Sequence, residues 1–177
     1  MALVTFAGGI GNDGTLKLER GTVSGNTAGF QGGGIANYGG TVTIEGSEVS
    51  GNTAQLGGGI GNFGNLTLKD SKVTGNTATD FGGGIANFSN GTLTLRESRV
   101  SDNTAGGNGG GIFNDGGTVM LGGAGHLDMK SRKWVVGRRL VARALWLCGF
   151  GRIVGSPFRW SISAGMGWCA YPSRIRR

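Results

Sequence analysis

The first 121 residues of this 177-residue chain contain no cysteine, no proline and no tryptophan. The absence of cysteine there suits an oxidising or a reducing compartment alike. Histidine occurs once in the whole sequence, at His126, which therefore has no second imidazole with which to share a metal. Cys148 and Cys169, the only two cysteines, have no metal-ligand spacing to other donors, and a structural or incidental role is expected for all three. No run of 18 apolar residues exists, so no transmembrane helix is expected. Met1–Gly9 lacks a basic start and a distinct cleavage pattern, and it does not read as a secretion signal. A helical period is missing throughout residues 1–121.

What is abundant is glycine, and its distribution divides the chain. Residues 1–121 hold 31 of the 40 glycines and carry 6 Lys+Arg against 9 Asp+Glu, a net of −3. Residues 122–177 carry 11 Lys+Arg against a single acid, Asp128, a net of +10, with no threonine or asparagine at all. A shift this abrupt marks a boundary near Leu121. The expected organisation is a repeat domain over 1–121 and a basic Trp/Arg-rich tail over 122–177.

A single phrase recurs through residues 1–121. Gly-Gly-Ile, usually Gly-Gly-Gly-Ile, places Ile10, Ile35, Ile60, Ile85 and Ile112 at spacings of 25, 25, 25 and 27 residues, each followed two places on by an asparagine. A second motif, Val-(Ser/Thr)-(Gly/Asp)-Asn-Thr-Ala, keeps step with it at Val23, Val49, Val73 and Val100. Such a fixed period is the mark of a repeat architecture. Between the motifs apolar residues alternate with polar ones, as in Leu16/Leu18, Val42/Ile44, Leu66/Leu68, Leu93/Leu95 and Val119/Leu121, which is the period of a half-buried strand.

Three short strands and three turns in about 25 residues describe one coil of a parallel β-helix. The fold class expected is therefore all-β: a right-handed, single-stranded parallel β-solenoid of four to five coils, followed by a non-repeat basic tail. One coil cannot bury its apolar edge, but stacked coils seal isoleucine, valine, alanine and paired leucine columns inside. Asn26, Asn52, Asn76 and Asn103 fall where the chain must bend. Asparagine suits such turns, and its amide can also donate to the next coil, forming a structural ladder.

GGGIAN (Gly32–Asn37, Gly82–Asn87) and VSGNTA (Val49–Ala54) resemble the GGA-I and F-x-x-N repeats of polymorphic outer membrane proteins. They are equally similar to other right-handed β-helix repeat proteins of bacterial surfaces. The resemblance covers Gly8 to about Leu121, with Val where that family often has Phe and Gly where it has Ala. It implies display outside the cell, at the cell surface or outer membrane, as a structural rod or in adhesion to a host or cell-surface receptor or glycan.

Candidate chemistry is sparse. Counting back from each valine, the turns hold Glu19, Glu45, Lys69 and Arg96, then Arg20, Gly46, Asp70 and Glu97, then Thr22, Glu48, Lys72 and Arg99. Stacking would set Glu45 against Lys69 and Glu48 against Lys72, in a solvated ribbon of mixed sign. Asp70 and Glu97 are stacked acids and the one carboxylate pair of interest, with Lys69, Lys72, Arg96 and Arg99 around them, so a neutralised surface cluster is expected. Asp13 and Asp115 occupy equivalent turns but lie four coils apart, roughly 19 Å.

Gly8–Asp13 matches the start of a calcium-binding nonapeptide, but Phe63 stands where the next acid should be, so neither a metal nor another cofactor is expected. Outward Thr-x-Thr at Thr41/Thr43 and Thr92/Thr94 would suit an ice-binding face, and Lys17, Asn65 and Met120 interrupt it. Asn65, Asn87 and Asn90 begin sequons in form only.

The tail has several readings. Residues 130–148 can be drawn as a basic amphipathic helix, which would address an anionic membrane or nucleic acid. The tail also fits an out-of-frame or fused ending, or a cap on the open coil, without which uncapped ends invite self-association. The expected function is a non-catalytic structural or adhesin-like β-helix, a fragment of a larger surface protein. A pectate-lyase-like carbohydrate-active enzyme is the main alternative, and an ice-binding or anionic-surface-binding solenoid a third.

Overall fold

A computed structural model describes residues 7–122 and, beyond them, the backbone of residues 126–127, 135–136, 140–142, 153–154 and 159–160. Among these residues every element is a strand or a turn. The first coil supplies β1 (Ile10–Asn12), β2 (Thr15–Glu19) and β3 (Thr22–Ser24). The second supplies β4 (Ile35–Asn37), β5 (Thr41–Glu45), β6 (Glu48–Ser50) and β7 (Thr53–Leu56). The third supplies β8 (Ile60–Asn62), β9 (Asn65–Lys69), β10 (Lys72–Thr74) and β11 (Thr77–Phe81). The fourth supplies β12 (Ile85–Asn87), β13 (Thr92–Arg96), β14 (Arg99–Ser101) and β15 (Thr104–Ala105). The chain then begins again with β16 (Ile112–Asn114) and β17 (Thr118–Gly122).

Each strand pairs in parallel with its counterpart one coil away. The sheets run β1-β4-β8-β12-β16, β2-β5-β9-β13-β17, β3-β6-β10-β14 and β7-β11-β15. This is a parallel β-solenoid. The register sets Ile10, Ile35, Ile60, Ile85 and Ile112 opposite one another in turn, and likewise Val23, Val49, Val73 and Val100. Neighbouring rungs lie about 4.8 Å apart, as backbone hydrogen bonding requires.

One expectation needs correction: coils two to four contain four strands, not three. VSGNTA is not one strand. At its centre Gly51, Gly75 and Asp102 adopt left-handed backbone (φ 62, 64 and 56°), which turns a sharp corner. Thr53, Thr77 and Thr104 then open a separate strand. Two further corners per coil use the same device, at Gly32, Gly57, Gly82 and Gly109 and at Arg20, Gly46, Asp70 and Glu97.

The interior is a set of columns. Ile35, Val42, Ile44, Val49, Ile60, Leu68, Val73, Ile85, Leu93 and Val100 are all fully buried, each contributing about 1.5–3 kcal/mol of transfer free energy. Leu16, Leu18 and Ile10 in the first coil are only partly covered. Glycine triplets are forced by close approach: a Cβ on Gly59 would lie 2.6 Å from the carbonyl oxygen of Gly84 and 3.0 Å from the Asn76 amide.

Beyond Gly122 three of the described strands extend the parallel sheets. β18 (His126–Leu127) pairs with β14, β19 (Val135–Val136) with β16, and β20 (Leu140–Ala142) with β17, all in parallel. The helix expected over 130–148 is not seen where the chain is described: Val135–Val136 and Leu140–Ala142 are strands. The other residues of that span lie outside the described residues. β21 (Ile153–Val154) and β22 (Arg159–Trp160) form an antiparallel pair.

Candidate functional site

Asp70 and Glu97, the candidate acids, sit at one corner of the coil, between β9 and β10 and between β13 and β14. Arg20 and Gly46 hold the same corner in the first two coils, and all four share left-handed backbone (φ 48, 57, 49 and 49° along the chain). The corner is held by coil-to-coil bonds in which Arg20 N donates to Glu45 O, Gly46 N to Lys69 O and Asp70 N to Arg96 O, at 2.9–3.1 Å. Both acids are exposed. Among the described residues neither forms an ion pair, so the cations around them do not neutralise them by direct contact.

The ribbon's ion pairs lie elsewhere, between Lys17 and Glu19 and between Glu45 and Lys69. Register places Glu45 opposite Lys69 and Glu48 opposite Lys72, but only the first couple closes into a pair. The Lys69 ammonium, hydrogen-bonded to Glu45, holds that carboxyl below its ordinary range, and Glu45 raises the lysine in return. A depressed carboxyl stabilises the fold above its ordinary titration range and loses that contribution on acidification. Both groups are exposed to solvent, so the effect is screened.

The asparagine columns lie inside the coil wall and are spent on the stack itself. Asn26 Nδ2 donates to Asn52 Oδ1 at 3.0 Å, Asn52 to Asn76 at 3.0 Å and Asn76 to Asn103 at 2.9 Å. Each acceptor oxygen also takes the backbone N–H of the asparagine before it. A second column links Asn12, Asn37, Asn62, Asn87 and Asn114 through Nδ2-to-Oδ1 bonds of 2.9, 2.8, 2.7 and 2.6 Å. From Asn37 to Asn114 these amides are at most 1% exposed. Their buried groups are thus satisfied by their own repeat.

Two columns escaped the sequence reading. Ser47, Ser71 and Ser98 stand beside the acidic corner: Ser47 N donates to Ser71 Oγ and Ser71 N to Ser98 Oγ, while Ser71 Oγ donates to Lys69 O. Their recurrence two places before Val49, Val73 and Val100 was the available signal. The second is aromatic. Tyr38, Phe63 and Phe88 occupy, in the middle coils, the turn position that Asp13 and Asp115 hold at the ends. Phe63 and Phe88 stack at 4.6 Å, Phe88 meets Phe113 edge-on at 6.2 Å, and Phe81 stacks on Phe113 at 4.9 Å. Partial burial, with a lesser push from Asp13, raises the Tyr38 hydroxyl.

The remaining candidates do not converge. Among the described residues no three His, Cys, Asp or Glu side chains gather as a metal would need. His126 stands opposite Arg99 in register, and Cys148 and Cys169 lie outside the described residues. Thr41, Thr92 and Thr118 share one column with Thr15 and Asn65, and Thr43, Thr67 and Thr94 another with Lys17 and Met120. The sequon at Asn87 is locked inside the amide column, while Asn65 and Asn90 are exposed. None of the family models, curated proteins or solved structures compared with this chain matches it.

Proposed function

We propose that residues 7–122 are the rod of a non-catalytic, surface-displayed protein, structural or adhesin-like in role. The observation that carries this reading is the corner column. A position that accepts Arg20, Gly46, Asp70 and Glu97 with one backbone conformation is selected for bending the chain, not for acid chemistry. The inner polar residues support it as well, because their hydrogen-bonding capacity is consumed between coils. The likeness of GGGIAN and VSGNTA to the repeats of polymorphic outer membrane proteins adds the expectation of an extracellular address and of a receptor or glycan as partner.

The test is to incubate the purified chain with polygalacturonate and other acidic glycans, following unsaturated and reducing-end products, while measuring binding to intact cells. Binding without product formation is expected. Turnover that is lost in Asp70→Asn or Glu97→Gln would overturn the proposal in favour of a carbohydrate-active enzyme.

A further inference from the structure

Of the 12 asparagines in the sequence, only Asn90 and Asn108 are followed by glycine. Asparagine in that setting is the least durable residue chemically, because glycine has no Cβ to keep the next backbone nitrogen away from the side-chain carbonyl. The two amide columns hold nine of the others, bonded from coil to coil, and Asn65 precedes the buried Leu66 within β9. Neither Asn90 nor Asn108 has a side-chain hydrogen bond among the described residues. Asn90 is exposed and Asn108 half-buried. The backbone after them differs. Gly91 N donates to Phe88 O at 2.8 Å, and Gly91 O accepts from Thr118 N at 2.8 Å and from Asn87 Nδ2 at 3.0 Å. Gly109 repeats the left-handed corner of Gly32, Gly57 and Gly82, with φ 68° against 64, 62 and 69°. Those three glycines donate their N–H to Leu56 O, Phe81 O and Asn108 O one coil on, at 2.9–3.1 Å. Gly109 N has no acceptor among the described residues.

We infer that Asn108 is the chain's site of spontaneous modification, converted by its own backbone and water to aspartate and isoaspartate, while the more exposed Asn90 is held intact. Gly109 N attacks Asn108 Cγ, and its proton passes through solvent to the leaving group. The Cγ–Nδ2 bond breaks, ammonia departs and a cyclic imide remains. Water then opens the imide. Cleavage of the new Cγ–N bond gives aspartate, and cleavage at the former main-chain carbonyl gives isoaspartate, whose main chain runs through Cγ. Nothing is oxidised or reduced: amide and water become acid and ammonia. At Asn90 the same attack must first break the bond from Gly91 N to Phe88 O and move a peptide group anchored on both sides. The isoaspartate product adds a carbon to the main chain at the residue whose carbonyl takes the N–H of Gly82. The lesion therefore falls on the register between the fourth coil and β16.

The test is to age the folded full chain in mildly alkaline buffer and map its peptides by mass spectrometry, with enzymatic methylation to detect isoaspartate. A second sample is aged in denaturant. Unfolded, Asn90 and Asn108 should convert at comparable rates. Folded, Asn108 should convert faster than Asn90 by on the order of tenfold, the ratio that one to two backbone hydrogen bonds supply. The column asparagines should stay unchanged in the folded sample. Asn108→Gln should remove the early acidic species and leave the melting curve as it was. Conversion of Asn90 as fast as Asn108 in the folded chain would overturn the inference, since exposure alone would then set the rate. So would a folded Asn108 that survives while the unfolded sample reacts.

Discussion

Asn62 shows how much one side chain does in this fold. It accepts from Asn37 and donates to both Asn87 and the Gly64 carbonyl, with no measurable exposure. Asn62→Ala strands a donor above and an acceptor below, so a loss of about 2–4 kcal/mol is expected in denaturant titrations. Asn26→Ala, at the part-exposed end of the other column, should cost only about 1 kcal/mol. The opposite sign is expected at the corner. Glu97 holds left-handed backbone at φ 49°, a conformation costing an L-residue about 1–2 kcal/mol. Glu97→Gly should therefore raise the denaturation midpoint, by about 0.5–1 kcal/mol after glycine's own entropy is counted, with an unchanged slope. At this scale the isoleucine, valine and asparagine columns were legible because each recurs with one residue type. The serine column was not, because Gly21 replaces it in the first coil and the neighbouring charges dominate the pattern. The aromatic column was broken in the same way by Asp13 and Asp115.

At the scale of the element, strand identity follows from alternation, but strand number depends on corners. The period-2 segments over Thr41–Glu45 and Thr92–Arg96 became strands where expected. The extra strand after the Gly51-Asn52, Gly75-Asn76 and Asp102-Asn103 corners was hidden because a left-handed residue in mid-motif leaves no break in the apolar pattern. The glycines discriminate between wall and surface. Gly59→Ala drives a methyl to 2.6 Å from a backbone carbonyl and should unfold or severely weaken the coil, whereas Gly39 meets nothing within 4 Å and Gly39→Ala should leave the melting curve unchanged. Parallel thermal scans of the two variants check this. Equal behaviour would contradict the packing described.

For the whole molecule, the spacing between equivalent residues varies, yet the register holds. Val49 to Val73 is 24 residues and Val73 to Val100 is 27. The slack is taken up outside the columns, by the register shift between Ala78 and Phe81 and by the longer turn at Ser89–Asn90. Contacts are therefore between neighbours only, and a coil is a removable unit. Deleting residues 35–59 joins Gly34 to Ile60 in phase. The shortened chain should keep a β circular dichroism spectrum and one cooperative melt at a lower temperature; an unfolded product would refute the modular account. The solenoid itself was legible from period alone, while the parallel pairing of the short strands β18, β19 and β20 was not, because the asparagine and threonine signals disappear beyond Leu121.

The direction of the asparagine bonds has a consequence of its own. Every amide-to-amide bond in both columns runs from an N–H to the oxygen of the later coil, so the group dipoles add instead of cancelling. The axis acquires an electrical sense, electron-rich lone pairs facing one way at Asn12 and acidic protons the other way at Asn114. A grafted coil could extend the series only if its own amides pointed the same way; inverted, it would set oxygen against oxygen at Asn12 or N–H against N–H at Asn114.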